Sequence, residues 1–352
     1  MNSRIVIHLS KLDSNLEAIN RRLKPGVKKM AVIKDNAYGH GMVEVAMHIA
    51  PKVEWFCVAR ASEGKLLRDQ GITNPILVFE APTEETAQMY VDFNLTATLS
   101  DISVLGLLKN DTKFHINIDT GMHRLGILPD DIQQLKMELK KYPGKKCTGI
   151  YTHYYKADDP GNPEVSRQLA LFRSIRSEFP SEWMTHTANT GGIFHYRDLD
   201  LQFDAVRPGV CLYGYGAGEI DVPDLEPILD FTSFLMQVKK IKKGDSASYG
   251  SKWHSSENGY IGIVPTGYSD GIPRILTNKI EFEIEGERFS QVGIISMDYS
   301  IVFLRDRKFS SGTTVYLLRQ KELSVKAWAK HALTIPYEIT TGLKERIPRI
   351  YV

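Results

Sequence analysis

The sequence predicts a (β/α)8 barrel followed by a mostly β domain, and three observations carry this prediction. Eight short apolar or β-branched runs recur between residues 29 and 209. Segments with helical periodicity lie between these runs, and several of them open on Ser, Thr or Asp, which are favoured N-cap residues. After about residue 228 the pattern changes to alternating runs separated by glycine-containing turns, with only one late helical stretch.

The eight runs have the length and spacing of strands that each precede a helix. They are "KMAVIK" (29–34), "WFCVA" (55–59), "PILVF" (75–79), "TATLS" (96–100), "FHINID" (114–119), "CTGIYTH" (147–153), "WMTHT" (183–187) and "DAVRPG" (204–209). The helical segments between them include "MVEVAMHIA", "ASEGKLLRDQ", "DIQQLKMELKKY" and "SRQLALFRSIRSEF". We therefore predict a barrel domain over residues 10–228 and a mostly β domain made of residues 1–9 and 229–352.

Composition narrows the class of protein. The chain has 352 residues with a formal net charge of +2 and no long basic or acidic block, so no electrostatic feature favours a nucleic-acid or membrane partner. Its three cysteines, Cys57, Cys147 and Cys211, lie in apolar stretches and predict buried free thiols rather than disulfides or a metal site. The first apolar run is too short for a signal peptide, and no run reaches the roughly 18 residues of a membrane span. We expect a cytoplasmic protein with a small-molecule substrate and no metal.

Polar side chains cluster where the predicted barrel strands end, which is the end of such a barrel that carries chemistry. The candidates are Lys34, Arg124, His153, His186, Asn189 and Arg207. Taken singly, a strand-end lysine is usually solvated and a histidine is usually a hydrogen-bonded structural residue. The convergence of the whole set on one mouth predicts an active site.

Glycine-containing turns follow the seventh and eighth predicted strands, as "NTGG" and "RPGV". Barrels of this kind commonly bind phosphate at these two places, through backbone N–H groups and a hydroxyl. A phosphate site beside a lysine indicates pyridoxal 5'-phosphate, held as a Schiff base.

A series of motifs resembles the alanine racemase family, the pyridoxal-phosphate enzymes built from a barrel and a β domain. In family order they are "AVIKDNAYGHG", "IDTGMHRLG", "THTANT", "RPGVCLYG", "SYGSKW", "GYSDG", "GIISMD" and "IPYEIT…RIPRI". The resemblance covers nearly the full length. It implies a homodimer with shared active sites that interconverts L-alanine and D-alanine through a pyridoxal-phosphate aldimine and supplies peptidoglycan precursors.

The resemblance implies two bases on opposite faces of the substrate. Lys34 corresponds to the lysine that carries the cofactor and, once released, serves as one base. Tyr249 corresponds to the second base, which reaches in from the other subunit. A phenol titrates at about 10 and needs cationic or hydrogen-bonding neighbours to act near neutral pH. By resemblance, His153 is its partner, with Arg207 and His186 behind it.

Further positions match cofactor and substrate contacts of the family. The cofactor contacts implied are Lys34, Tyr38, His153, Asn189, Thr190, Arg207, Gly209, Val210 and Tyr337. The substrate contacts implied are Arg124, the backbone of Met297 from the partner subunit, and Tyr268 at the entrance. Arg207 matches the residue that faces the pyridine nitrogen. Because an arginine stays charged and only donates, it would make the ring a weaker electron sink than an acid would.

One position departs from the family pattern. Many members have a lysine, often carbamylated, where this chain has Asn117. A neutral amide cannot supply that negative charge. We therefore expect Arg124 to be held by Asn117 itself or by a small anion such as chloride, and activity to be independent of carbon dioxide.

Three alternatives remain open from the sequence. The nearest is a racemase of broader or different amino-acid specificity. A non-catalytic pyridoxal-phosphate protein would share the barrel and its lysine but should lack the second domain with Tyr249 and Met297. A metal-dependent hydrolase could use His153, His186 and Asp158, although no paired-histidine spacing accompanies the first strand.

Overall fold

The computed structural model describes residues 3–196, 198–218, 222–319 and 323–352, and it divides into two compact units. The first unit contains residues 11–37 and 42–226. The second contains the described residues up to Ser10, together with residues 38–41 and 227–352.

Strands and helices are numbered here in chain order. The strands are β1 (Arg4–Ile7), β2 (Lys28–Val32), β3 (Trp55–Val58), β4 (Ile76–Val78), β5 (Ala97–Leu99), β6 (Lys113–Asn117), β7 (Lys146–Tyr151), β8 (Met184–His186), β9 (Ala205–Val206), β10 (Leu229–Phe234), β11 (Gln237–Ile241), β12 (Gly259–Val264), β13 (Glu281–Ile284), β14 (Glu287–Ser290), β15 (Ser300–Arg305), β16 (Thr314–Leu318) and β17 (Arg349–Tyr351). The helices are α1 (Leu9–Asn20), α2 (Lys34–Tyr38), α3 (Met42–Ile49), α4 (Ala61–Asp69), α5 (Ala87–Asp92), α6 (Val104–Leu107), α7 (Ile132–Lys141), α8 (Pro163–Arg176), α9 (Thr190–Phe194), α10 (Val325–Ala332) and α11 (Pro336–Gly342).

The first unit is a barrel of eight parallel strands in the order β4-β3-β2-β9-β8-β7-β6-β5. A parallel bridge between Leu77 and Thr96 joins the two ends of this sheet and closes the barrel. Each strand overlaps one of the eight predicted runs, although three strands begin one residue earlier and the last shortens to Ala205–Val206. The predicted fold class is confirmed.

The interior of this barrel is partly polar, whereas such interiors are usually filled by branched apolar side chains. Tyr151 stacks on His186 with ring centroids 4.7 Å apart, and its hydroxyl lies 3.1 Å from that of Thr98. A Cβ atom at Gly149 would lie 2.7 Å from the ring of His115, so the glycine leaves room for that imidazole. The strands therefore surround a column of hydrogen-bonding groups.

The second unit contains a six-stranded sheet, in the order β14-β13-β16-β10-β1-β17, and a three-stranded sheet, β11-β12-β15. The expectation of one late helical stretch is wrong, because two helices follow β16 in this unit. Leu333 adopts a left-handed conformation (φ 57°) that ends α10, and Pro336 then stands in the first turn of α11. The predicted single helical stretch is thereby divided into two helices.

Within the described part of the chain, no helix combines the length and the apolar character that crossing a membrane requires.

Candidate active site

Lys34 stands at the beginning of a strained turn. The strand β2 ends at Val32, two residues earlier than the predicted run. Asp35, Asn36, Ala37 and Tyr38 all have φ between 51° and 54°, so four consecutive non-glycine residues adopt the left-handed conformation. Each such residue costs roughly 1–2 kcal/mol, and strain of this kind concentrates at functional sites.

Hydrogen bonds hold this turn in place. The backbone N–H of Asp35 donates to Oε1 of Glu63 at 2.6 Å, and the backbone N–H of Met42 donates to Oδ1 of Asn36 at 2.8 Å. The N–H of Ala37 donates to the carbonyl of Ile33 at 2.9 Å. The turn thus projects Lys34 from a fixed backbone.

The environment of Lys34 favours the neutral amine. Burial lowers the pKa of its ammonium group, and the positive charge of Arg124 lowers it further. Its Nζ lies 6.0 Å from the centre of the Phe79 ring. A lysine with a lowered pKa can act as a nucleophile or as a base.

Arg207 forms the centre of a buried hydrogen-bond chain. Its Nη1 donates to Nδ1 and to the backbone oxygen of His186, both at 2.7 Å. Its Nη2 donates to the carbonyl oxygens of Thr152 at 2.7 Å and Thr187 at 3.0 Å. On the other side of the same imidazole, Nε2 of His186 lies 2.8 Å from Nδ1 of His115. The two terminal nitrogens of Arg207 are thereby fixed.

Donor chemistry fixes the protons along this chain. Burial lowers the pKa of His115 to about 3 and that of His186 well below its ordinary value, so both rings are neutral. A guanidinium only donates, so Nδ1 of His186 accepts and its ring proton lies on Nε2. That N–H donates to Nδ1 of His115, and the proton of His115 therefore lies on Nε2.

Acid should destabilise the fold in a defined pH window. The folded-state pKa values of His115 and His153 are about 3, below the ordinary histidine value of 6.5. The unfolded chain binds more protons between these values, so this stability is complete above pH 6.5 and falls as pH drops toward 3. Each imidazole should lower the free energy of unfolding by about 1.4 kcal/mol per pH unit there. Urea unfolding at about pH 7, 6 and 5 measures this slope, and an unchanged stability across these points would contradict it.

Two helical turns begin next to each other after β8 and β9. The helix α9 begins at Thr190, and a 3₁₀ turn begins at Val210. The Thr190 hydroxyl donates to Sγ of Cys211 at 3.2 Å, and the N–H of Gly209 donates to this hydroxyl oxygen at 3.4 Å. Because the first N–H groups of a helix have no acceptor within it, paired helix beginnings provide donors suited to a phosphate.

Asn189 caps α9 and also reaches toward His153. Its Oδ1 accepts from the backbone N–H of Gly192 at 3.1 Å, and its Nδ2 donates to the carbonyl of Tyr154 at 3.0 Å. The same Nδ2 lies 3.5 Å from Nε2 of His153. Burial, followed by the charges of Arg207, Arg124 and Lys34, lowers the pKa of His153 to about 3. These four groups therefore share one electrostatic environment.

The loop that carries Arg124 is anchored by Asn117. The Nδ2 of Asn117 donates to the carbonyl of Leu125 at 2.9 Å, and the N–H of Ile127 donates to the carbonyl of Asn117 at 2.8 Å. The Asn117 amide thus contacts the backbone of this loop, and among the described residues no hydrogen bond joins it to the Arg124 guanidinium. The loop turns back at Gly126, where φ is 132°, and this brings the Leu125 carbonyl to the amide.

Tyr38 and Tyr337 lie together in the second unit. Their rings meet edge to face, with centroids 6.1 Å apart and an interplanar angle of 82°. The backbone around them is close-packed, because a Cβ at Gly39 would lie 2.1 Å from the carbonyl oxygen of Thr340. Nε of Arg349 also donates to the carbonyl of Gly39 at 3.1 Å. The two predicted phosphate-contacting tyrosines are therefore neighbours.

Tyr249 projects from a strained turn of the second unit. The φ angles of Ser248, Gly250 and Ser251 are 66°, 66° and 47°. The Ser248 hydroxyl anchors the turn by donating to the carbonyl of Ile294 at 2.6 Å. The tyrosine itself is 71% exposed in the single chain.

Tyr268 and Met297 lie on two loops that are joined through their backbones. The N–H of Tyr268 donates to the carbonyl of Ser296, and the N–H of Ser269 donates to that of Met297, both at 3.0 Å. Tyr268 is 38% exposed and Met297 is 53% exposed. The second unit thus exposes the side chains of both predicted substrate contacts.

Two residues that contact the buried hydrogen-bond chain, His115 and Tyr151, receive no site role from the sequence. His115 lies two residues before Asn117 in β6, so strand alternation places both on the same face. Tyr151 ends β7 and lies under Arg207, whose Cζ is 5.1 Å from the centre of its ring. The alternation of polar residues in "HIN" was the signal available for His115.

Comparisons with known proteins agree with this arrangement. The sequence-family model of the alanine racemase N-terminal domain matches residues 7–217. The family model of the alanine racemase C-terminal domain matches residues 228–351. An alanine racemase of Streptococcus mutans is 31% identical over 361 residues, covering 98% of this chain and 96% of the relative.

Solved structures give the same result. An alanine racemase of Clostridium difficile superimposes with a TM-score of 0.93 at 31% identity, covering 100% of this chain and 96% of that one. The Bartonella henselae alanine racemase, solved with covalently bound pyridoxal phosphate, gives a TM-score of 0.91 at 26% identity, covering 100% of both chains. The resemblance seen in the motifs is confirmed, and the chain belongs to the alanine racemase family.

Proposed function

We propose that this protein is a pyridoxal-phosphate-dependent racemase that interconverts L-alanine and D-alanine. The observation that carries the proposal is the placement of Lys34, with its lowered pKa, in one electrostatic environment with Arg124, His153 and Arg207 at the mouth of the barrel. This arrangement belongs to a chain of the alanine racemase family.

The residues at the mouth fit pyridoxal phosphate. The paired helix beginnings at Thr190 and Val210 supply phosphate donors. Lys34 supplies an amine whose lowered pKa favours covalent attachment. Four donor contacts occupy the terminal nitrogens of Arg207, and among the described residues no hydrogen bond leaves from its Nε. The Nε–H of Arg207 is therefore available to donate to the ring nitrogen of the cofactor.

The cofactor, when bound, supplies an electron sink that acidifies the proton on the substrate α-carbon. Lys34 would hold the cofactor, and its amine would move this proton on one face. Arg207 would donate to the ring nitrogen without transferring a proton, because its guanidinium stays charged, and this would limit the strength of the sink. Return of the proton to the α-carbon of the substrate is thereby favoured over its transfer to another atom.

Tyr249 of a partner subunit provides the base on the opposite face in this proposal. Its exposure of 71% in the single chain suits a residue that acts in a partner's site. His153, held neutral by its low pKa, keeps one ring N–H that can donate a hydrogen bond to the phenolate of Tyr249. Tyr268 and the backbone of Met297 enter the same shared site from the partner. The functional unit is therefore a homodimer whose β domain completes the partner's barrel site.

Arg124 binds the substrate carboxylate through its forked guanidinium. Its position depends on Asn117, because the Asn117 amide fixes the adjacent carbonyl of Leu125. The function of Asn117 is therefore to orient the Arg124 loop in this chain. A small anion at Arg124 remains compatible with this role and replaces the carbamate of other family members.

Replacing Asn117 with alanine should weaken substrate binding more than turnover. Loss of the hydrogen bond to Leu125, worth about 1 kcal/mol, should raise the KM for alanine roughly fivefold. The kcat should fall less than about twofold, because Arg124 contacts the carboxylate and not the reacting proton. Gln133→Ala, which removes a surface amide paired with Glu178, is the matched control and should leave both constants unchanged. A larger fall in kcat than rise in KM would contradict this role.

The proposed function is tested by incubating the holoenzyme with individual L-amino acids and separating the enantiomers by chiral chromatography. We expect D-alanine to form and to approach a racemic mixture, in a reaction that depends on added pyridoxal phosphate. Formation of other D-amino acids at comparable rates would identify the broader racemase instead. Formation of a 2-oxo acid or an amine without D-product would refute racemase activity.

A further inference from the structure

A cavity of about 780 Å³ lies at the end of the barrel where the strands begin. Its lining includes Lys28, Trp55, Lys113 and Met184, which are the first residues of β2, β3, β6 and β8. Chemistry in such barrels takes place at the opposite end, where the strands finish. The cavity is therefore separate from the candidate active site, and its volume lies within the range of small-molecule pockets.

A buried donor borders this cavity. His115 lines it, is 0% exposed, and its Nε2 has no hydrogen-bond partner among the described residues. The series of hydrogen bonds from Arg207 through His186 places the proton of His115 on Nε2. This atom therefore donates and cannot accept. Native proteins seldom leave a buried N–H unpaired. A ligand in the cavity that offers an acceptor would pair with this N–H.

Two lysines and two carboxylates line the cavity, and one lysine lies beside the His115 donor. Lys113 precedes His115 by two residues in β6 and shares its face, and Lys28 stands at the start of β2. Two carboxylates also line the cavity, but Oδ2 of Asp204 already accepts from the backbone N–H of Thr185 at 2.7 Å. The other, Glu182, is exposed, as are both lysines, so the preference for an anion rests on the position of Lys113 beside His115.

The remaining lining includes apolar and aromatic surface. The indole of Trp55 lies against the His115 imidazole with ring centroids 5.4 Å apart, and Met184 and Phe203 contribute further apolar area. An aromatic surface beside a donor suits a ligand that joins a flat apolar body to an acceptor group.

We propose that this cavity binds a small organic carboxylate. Its oxygen accepts the Nε2–H of His115, its charge faces Lys113 and Lys28, and its apolar body packs on Trp55. The site does not depend on the proposed racemase function, because its ligand would contact the strand-start end of the barrel, although His115 is joined through His186 to Arg207.

Benzoate is the probe that tests this site, because it joins a flat ring to a carboxylate. The holoenzyme is prepared with 5-fluorotryptophan, and the fluorine resonance of Trp55 is assigned with the Trp55→Phe variant. We expect a saturable shift of the Trp55 resonance, while Trp253 and Trp328, which lie in the second unit, serve as references. Benzamide, which keeps the ring and an acceptor but lacks the charge, should bind at least about fivefold more weakly.

Paired lysine variants locate the binding. Lys28→Met with Lys113→Met should raise the Kd for benzoate at least about fivefold, and both lysines are exposed, so folding should be retained. Lys29→Met with Lys146→Met is the matched control, since these neighbours pair with Glu54 and Asp111 instead of lining the cavity. No Trp55 shift, equal binding of benzamide, binding of inorganic phosphate in place of benzoate, or equal effects of the two lysine pairs would each overturn the proposal.

Discussion

Replacing Lys34 with alanine should abolish racemisation in both directions, together with the visible absorbance of the bound cofactor. The covalent attachment and one of the two bases are lost in the same change, so a fall of at least about a thousandfold is expected. The strained turn from Asp35 to Tyr38 uses backbone contacts that this substitution leaves in place, so the fold should be retained. Absorbance spectra and chiral chromatography of the purified variant measure the two losses.

The control for this variant is Lys29→Ala. Lys29 lies in the same strand as Val32 but pairs with Glu54, with a nitrogen-to-oxygen distance of 3.7 Å. This control should keep both the absorbance and the activity. If borohydride reduction fixes the cofactor to a lysine other than Lys34, as found by peptide mass mapping, the assignment of Lys34 is wrong.

Replacing Tyr249 with phenylalanine should retain the bound cofactor but reduce racemisation by about a hundredfold to ten-thousandfold, which is the usual contribution of a general base. The two enantiomers have equal free energy, so kcat/KM for racemisation must fall equally in both directions. Solvent exchange of the α-proton separates the two bases. Lys34 should still exchange the proton of D-alanine, whereas exchange from L-alanine should be lost with the phenol.

Proton magnetic resonance in deuterated water follows this exchange for each enantiomer. The matched control is Tyr260→Phe, which changes a tyrosine of β12 in the same unit. Near-normal racemisation by Tyr249→Phe, or equal loss of exchange from both enantiomers, would contradict the assignment of the two bases.

The barrel could be predicted because its eight strands are short apolar runs bounded by helical segments. The position of Lys34 followed from the same pattern and from the motif around it. The left-handed turn after Lys34 could not be predicted, because its residues, Asp35, Asn36, Ala37 and Tyr38, include no glycine. Only tertiary contacts such as that with Glu63 hold this conformation.

Contacts within the candidate site were harder to predict than the identity of its residues. The sequence predicts that Asn117 or a small anion holds Arg124, whereas the backbone path through Gly126 directs the Asn117 amide to Leu125. The motifs assign no site role to His115, although its bond to His186 determines which ring nitrogen carries a proton. Such details depend on the pairing of strands distant in sequence, and a motif does not specify them.

The central claim is that Lys34 of one subunit and Tyr249 of its partner form one active site. It is tested most directly by co-expressing Lys34→Ala and Tyr249→Phe chains with different affinity tags and purifying the mixed dimer through both tags. In a symmetric dimer with shared sites, one of the two sites regains both residues, so the mixed dimer should show about half the wild-type racemisation rate. If both residues act within a single chain, each site lacks one of them, and a mixed dimer no more active than the two parent variants would contradict the account.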